Sequence, residues 1–115
     1  MKKILLWIAV IIYGGLIWWM SSFALPPQPV GIVYVWDKLK HVAEFFILAI
    51  LLFNAISEST KSTTAVFLAI IITAVYGIID EVHQSFVPGR MFSYLDMASD
   101  AVGGLVISLF LLFKK

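Results

Sequence analysis

The chain contains no cysteine among its 115 residues. Disulfides, thiol nucleophiles and cysteine-ligated metals are thereby excluded, and the redox compartment is left open. Charge is also scarce, at 13% of residues against a soluble norm of about 25%. Histidines with the H-E-x-x-H spacing of a zinc protease are missing, and no serine sits in a nucleophile-elbow context. A basic stripe with interleaved aromatics is missing too, which argues against nucleic acid as a partner. What fills the chain is apolar: 62% of residues are hydrophobic. One bilayer crossing takes about 20 mostly apolar residues, so the length admits four and leaves little for a soluble domain. The expected fold is all-α, a polytopic membrane protein forming a compact bundle of four transmembrane helices, with residues 1–115 as one domain.

Continuous apolar runs place the spans at approximately residues 4–24, 37–56, 62–84 and 93–113. Pro26 and Pro27 are expected to end the first, because proline lacks the donor that a continuing helix needs. Ser62 or Thr63 is a suitable N-cap for the third, and Pro88-Gly89 forms the turn after it. The first run also has the outline of a cleaved signal peptide. Its apolar stretch is longer than a usual signal core, however, and Trp18-Trp19 stands where small residues would be expected.

Four spans put both termini and the polar loop Ser57 to Lys61 on one side, with Lys2, Lys3, Lys61, Lys114 and Lys115 against the single acid Glu58. The other side holds Lys38, Lys40 and Arg90. Five basic residues against three make the first side cytoplasmic by the positive-inside rule. Six of the seven acids then fall in the outer half with three basic residues, a formal charge of −3. Trp18, Trp19, Tyr34 and Trp36 would mark the outer interface as an aromatic belt.

The polar residues of that half need reasons. Asp37, His41 and Glu44 recur at intervals of four and three, one helix face. Asp37 can equally be an N-cap. Lys38 can snorkel to the headgroups, and for Lys40 snorkelling is a complete account. Glu44 lies deeper, where an ionised carboxylate costs up to about 2.5–3.5 kcal/mol, and it needs a partner, a proton or water. Asp80 and Glu81 follow eighteen uncharged residues and sit near a helix C-terminus, where the dipole disfavours negative charge by roughly 0.3–1 kcal/mol each. A cation should lie nearby, with Arg90 the nearest candidate in sequence. Tyr76, Asp80 and Gln84 share a face with His83 beside them, and these groups could instead serve only to pair helices. Ser93 and Asp96 have capping-box spacing, which leaves Asp100 one turn deeper unexplained. Gly103 and Gly104 should let a neighbouring helix approach that face. The expected result is an outward cleft whose crowded carboxylates resist ionising together.

Two segments resemble the signatures of the VanZ-like membrane proteins. Asp37-Lys38-Leu39-Lys40-His41 with Phe45 looks like the first, and "DEVHQSFVPGR" followed by Ser93, Asp96 and a glycine-bearing helix looks like the second. Carried over by position, the resemblance points to Asp37, Lys38, His41, Glu81, Gln84, Pro88, Gly89, Arg90 and Asp96. Where the family usually has asparagine this chain has Asp100, an extra potential charge in the cleft. The resemblance implies a bacterial cell-envelope protein, because the family's namesake is associated with resistance to teicoplanin, a lipoglycopeptide.

Three functions compete. In the first, Asp37, Lys38, His41, Glu44, Asp80, Glu81, His83, Gln84, Arg90, Asp96 and Asp100 bind a lipid headgroup, a lipid-linked wall precursor or a lipoglycopeptide. Arg90 and Lys38 would grip phosphate there, and the carboxylates would hold ammonium or hydroxyl groups. In the second, the site is an enzyme on a lipid-linked substrate, with His41 or a carboxylate of the Asp80-Glu81 pair as general base. A divalent ion on Asp80, Glu81, Asp96 and His83 is its weakest variant; no metal or cofactor is assigned. In the third, the chain is a small proton-coupled transporter, although no inverted repeat is evident and a homo-oligomer would have to supply the missing wall. The expected partners are membrane lipids or a lipid-linked envelope precursor.

Overall fold

The computed structural model describes residues 1–22, 32–87 and 94–113, with the backbone alone at 32–34, 37 and 110–113. Four helices follow one another: α1 Lys2–Ser21, α2 Ile32–Ser57, α3 Ser62–Ser85 and α4 Tyr94–Phe113. Three contain stretches long and apolar enough to cross a membrane: α1, Lys38–Ser57 within α2, and α3. α4 is not among these, and its first half carries Asp96 and Asp100. Twenty residues at 1.5 Å each give α1 a length of about 30 Å, the thickness of a hydrocarbon core. The longest dimension of the fold is 44 Å, close to the roughly 40–45 Å of a bilayer with its headgroups.

The helix limits differ from the sequence-based ones in instructive ways. α2 starts at Ile32, so Asp37 lies inside the helix and is not its N-cap. α3 is preceded by Lys61, whose side chain makes no cap bond, and Ser62 is the first helical residue, not a cap. α1 ends at Ser21, three residues before the expected limit, and Ser22 closes it. Pro26, Pro27, Pro88, Gly89, Ser93 and the last two lysines lie outside the described residues.

α2, α3 and α4 pack against one another as a trio, while α1 leans on α2 and touches α3 only slightly. Among the described residues α1 makes no packing contact with α4. Lys2 and Glu58 approach to 3.7 Å, so the start of α1 and the α2–α3 connection share one end of the bundle. The apolar core at that end and the middle is built from Ile17, Phe45, Leu48, Leu52, Ile56, Ala65 and Ala69. Outward faces are apolar as well: Ile11, Ile12, Phe67 and Ile71 are all exposed, as expected where lipid is the solvent.

Small residues set the helix spacing. α3 turns Ala65, Ala69, Thr73 and Gly77 inward at intervals of four, and α4 lies against this stripe. A Cβ on Gly104 would stand 3.2 Å from Thr73, and one on Gly77 would stand 2.8 Å from Cβ of Asp100. On the neighbouring face of α4, a Cβ on Gly103 would come within 2.5 Å of the Val42 carbonyl oxygen on α2. The two adjacent glycines thus seat α4 between two partners, Gly103 against α2 and Gly104 against α3.

Gly103→Ala should therefore destabilise the fold by about 1–3 kcal/mol, the usual cost of overpacking. Gly15→Ala, at a position where an added Cβ meets nothing within 4 Å, should be neutral or slightly stabilising through helix propensity. Thermal unfolding of both variants in detergent micelles tests this, and equal effects would refute the packing argument.

Candidate functional site

The trio's close approach brings polar side chains together at the end of the bundle opposite Lys2 and Glu58. On α2, Lys38 and His41 are three residues apart and face α4, where Asp96 and Asp100 are four apart. The two pairs interlock. Lys38 Nζ donates to Asp96 Oδ1, and His41 Nδ1 lies 2.9 Å from Asp100 Oδ1. His41 Nε2 stands 3.8 Å from Asp96, so the imidazole spans both carboxylates. Asp100 is fully buried, and Gly77 is what makes room for it, since a side chain there would strike its carboxyl.

α3 supplies the rest. Its inward stripe continues beyond Gly77 as Asp80, Glu81 and Gln84, at most 4% exposed. The Gln84 amide donates to Asp80 Oδ2 at 3.0 Å and to Ser21 Oγ of α1 at 3.1 Å, while the Ser21 hydroxyl donates to the Ile17 carbonyl. Asp80 is within electrostatic reach of His41, His83 and Glu44, and Asp100 of Asp80. The electrostatic surroundings of these acids near a helix C-terminus thus include two histidines. Arg90, the cation expected from the sequence, lies outside the described residues, as does the Asp37 side chain.

Hydrogen-bond capacity remains unused here. Among the described residues, Thr73 Oγ1 and His83 Nδ1 are buried without a hydrogen-bond partner, and so are Asp80 Oδ1 and Asp100 Oδ2. An unsatisfied buried polar atom costs roughly 1–3 kcal/mol, more when charged. Both atoms are acceptors when their carboxyls are ionised, so what they lack is a donor.

Two candidates at the edge of this cluster have partners of their own. Glu44 pairs with Lys40 at 3.5 Å along α2, and its carbonyl accepts from the Tyr13 hydroxyl of α1. Lys40 therefore does more than snorkel, and Glu44 has found its partner on its own helix. His83 lies toward α1, stacked on Trp18 with ring centres 3.8 Å apart and its Nε2 3.4 Å from the Ser22 hydroxyl. The quartet Asp80, Glu81, Asp96 and His83 does not converge as a metal site: among the described residues no group of three or more such side chains could hold an ion.

Sequence reasoning missed the α1 residues Ser21, Ser22 and Trp18. A hydroxyl four residues beyond Ile17, on the face that buries it, was the available signal for Ser21.

A family model described as VanZ/LLP1 matches residues 4–115. No curated protein and no solved structure matches the chain.

The two lysines of α2 should behave differently. Lys38 and Asp96 are 20% and 13% exposed, so Lys38→Met should cost about 1.5–3 kcal/mol by taking a charged donor from a largely buried carboxylate. Lys40 is 56% exposed, and Lys40→Met should cost no more than about 1 kcal/mol. Unfolding in micelles that ranks the two single variants equally would contradict the pairing.

Proposed function

The chain belongs to the VanZ/LLP1 family, and from that premise we propose that its polar end recognises a donor-bearing polar group at the surface of a bacterial membrane. The ligand class is a lipid headgroup, a lipid-linked wall precursor or the polar part of a lipoglycopeptide, with a role in teicoplanin-type resistance. All four helices cross the cytoplasmic membrane in this reading. Both termini are cytoplasmic, and the His41–Asp100 end faces outward, where such molecules are found.

The observation that carries the reading is the pair of buried acceptors, Asp80 Oδ1 and Asp100 Oδ2. They lie at one end of a bundle in which three helices are apolar enough to span a bilayer. An ammonium or a sugar hydroxyl supplies the donor they lack, and two acceptors from different helices would fix its position. Arg90, in the second signature segment, and Lys38 add cations suited to a phosphate.

Asp100→Asn and Asp80→Asn remove the charge and keep the shape. Each should weaken binding of the purified protein to teicoplanin or to vesicles containing lipid-linked wall precursor. A lost hydrogen bond to a charged group is worth about 1.5–3 kcal/mol, or roughly ten- to hundredfold in affinity. Arg90→Ala should abolish the resistance phenotype with the amount of protein in the membrane unchanged. Unaltered binding and unaltered resistance in all three variants would sink the proposal.

A further inference from the structure

α1 and α3 are the least intimately packed of the neighbouring helices. Between them, floored by α2, runs an apolar groove of about 290 Å3 whose lining includes Gly14, Gly15, Leu48, Leu52, Ile72 and Tyr76. It exists because α1 offers two glycines there: a Cβ on Gly15 would meet nothing within 4 Å. At its rims Ile11 is 70% and Ile72 40% exposed, so the groove opens sideways from the bundle. Its single polar group, the Tyr76 hydroxyl, donates to the Gly14 carbonyl and is satisfied.

Beyond the groove, the same two helices lead to the polar end. On α3, Tyr76 is followed at intervals of four by Asp80 and Gln84; on α1, Gly14 is followed by Ile17 and Ser21. The two tracks meet where Gln84 donates to Ser21. Asp80 thus lies one helical turn, about 6 Å, beyond the Tyr76 end of the groove, across the buried seam of Ile17 and Ser21.

We infer that the groove holds one acyl chain of a lipid or lipid-tailed ligand whose polar head occupies the Asp80–Asp100 end. The inference deepens the headgroup reading above and rests on it for the position of the head. Three observations select an acyl chain. The walls are stretches apolar enough to cross a bilayer, so the medium at the opening is itself acyl chain. An apolar cavity of about 150 Å3 suffices for a benzene-sized guest, and this groove is nearly twice that. A helix of a second copy, about 10 Å across, would have to part α1 from α3, which touch.

The test uses the full chain in phosphatidylcholine–phosphatidylglycerol vesicles carrying a trace of phosphatidylglycerol with a mid-chain diazirine, with crosslinks located by mass spectrometry. Gly15 and Ile72 should be labelled roughly tenfold more than Ile12 and Val75, the ratio that a site preference of about 1.4 kcal/mol gives. Ile12 and Val75 are ordinary exposed residues of the same helices. Gly15→Leu and Gly15→Trp should remove the excess with helicity retained by circular dichroism, and Gly15→Ala should keep most of it. Groove labelling no higher than at Ile12 and Val75 overturns the inference, whatever the polar end does. Labelling that is enriched but indifferent to Asp100→Asn supports the tail site and counts against the headgroup reading instead. Since the chain has no cysteine, Gly15→Cys offers a clean control: an efficient interchain disulfide there would make the occupant a second copy and also overturn the inference.

Discussion

A buried carboxylate must be met by a donor, and the whole polar end of this fold is arranged around that requirement at Asp100. Fully buried in α4, it reaches His41 of α2, and the same imidazole lies near Asp96, which Lys38 also holds. These pairs help fix the register of α4 against α2, since sliding by one turn would break them in a poorly solvated interior. Packing makes the arrangement feasible. Gly103 brings the α4 backbone onto Val42 and Phe46, and Gly77 leaves the volume that the Asp100 carboxyl takes. The small residues are thus part of the electrostatics, because a wider helix spacing would separate the charges.

The polarity gradient along α3 has the same logic. Its inward stripe is small and apolar through Ala65 and Ala69, passes Thr73 and Gly77, and ends in Asp80, Glu81 and Gln84. Lipid-facing positions on the same helix, such as Phe67, Ile71 and Val75, stay apolar throughout. A helix built this way divides one membrane protein into a packing half and a chemical half. α1 joins both, holding Gln84 through Ser21 at one end and leaving the Gly14–Gly15 groove lower down. A headgroup at the acidic end and a tail in the groove would fit that division.

The resemblance of the two signature segments to VanZ-like proteins agrees with the family match over residues 4–115. Helical spacing made the shared face of Asp96 and Asp100 legible, four residues apart, whereas His41 was grouped with Asp37 and Glu44 and its place beside Lys38 was not drawn. Asp80 and Gln84 were legible in the same way. The partner of Glu44 was not, because spacing could not foretell that Lys40 would answer it along the helix. Asp37 was misread as a possible cap because nothing in the apolar, uncharged run before it marks where α2 begins at Ile32.

By itself the sequence determined the all-helical class, four helices in order and the apolar character of the first three, while the fourth span expected at 93–113 is a helix that is not among the stretches apolar enough to cross a membrane. These follow from composition and local periodicity, which act within a single helix. Only the tertiary structure decided which acid meets which base, that Ser21 belongs to the polar end, that His83 turns to Trp18, and that a groove lies between α1 and α3. Those outcomes depend on the distance and rotation of helices relative to one another. Both are set by glycine contacts and buried pairs between residues about sixty positions apart, a scale on which sequence spacing carries no geometry.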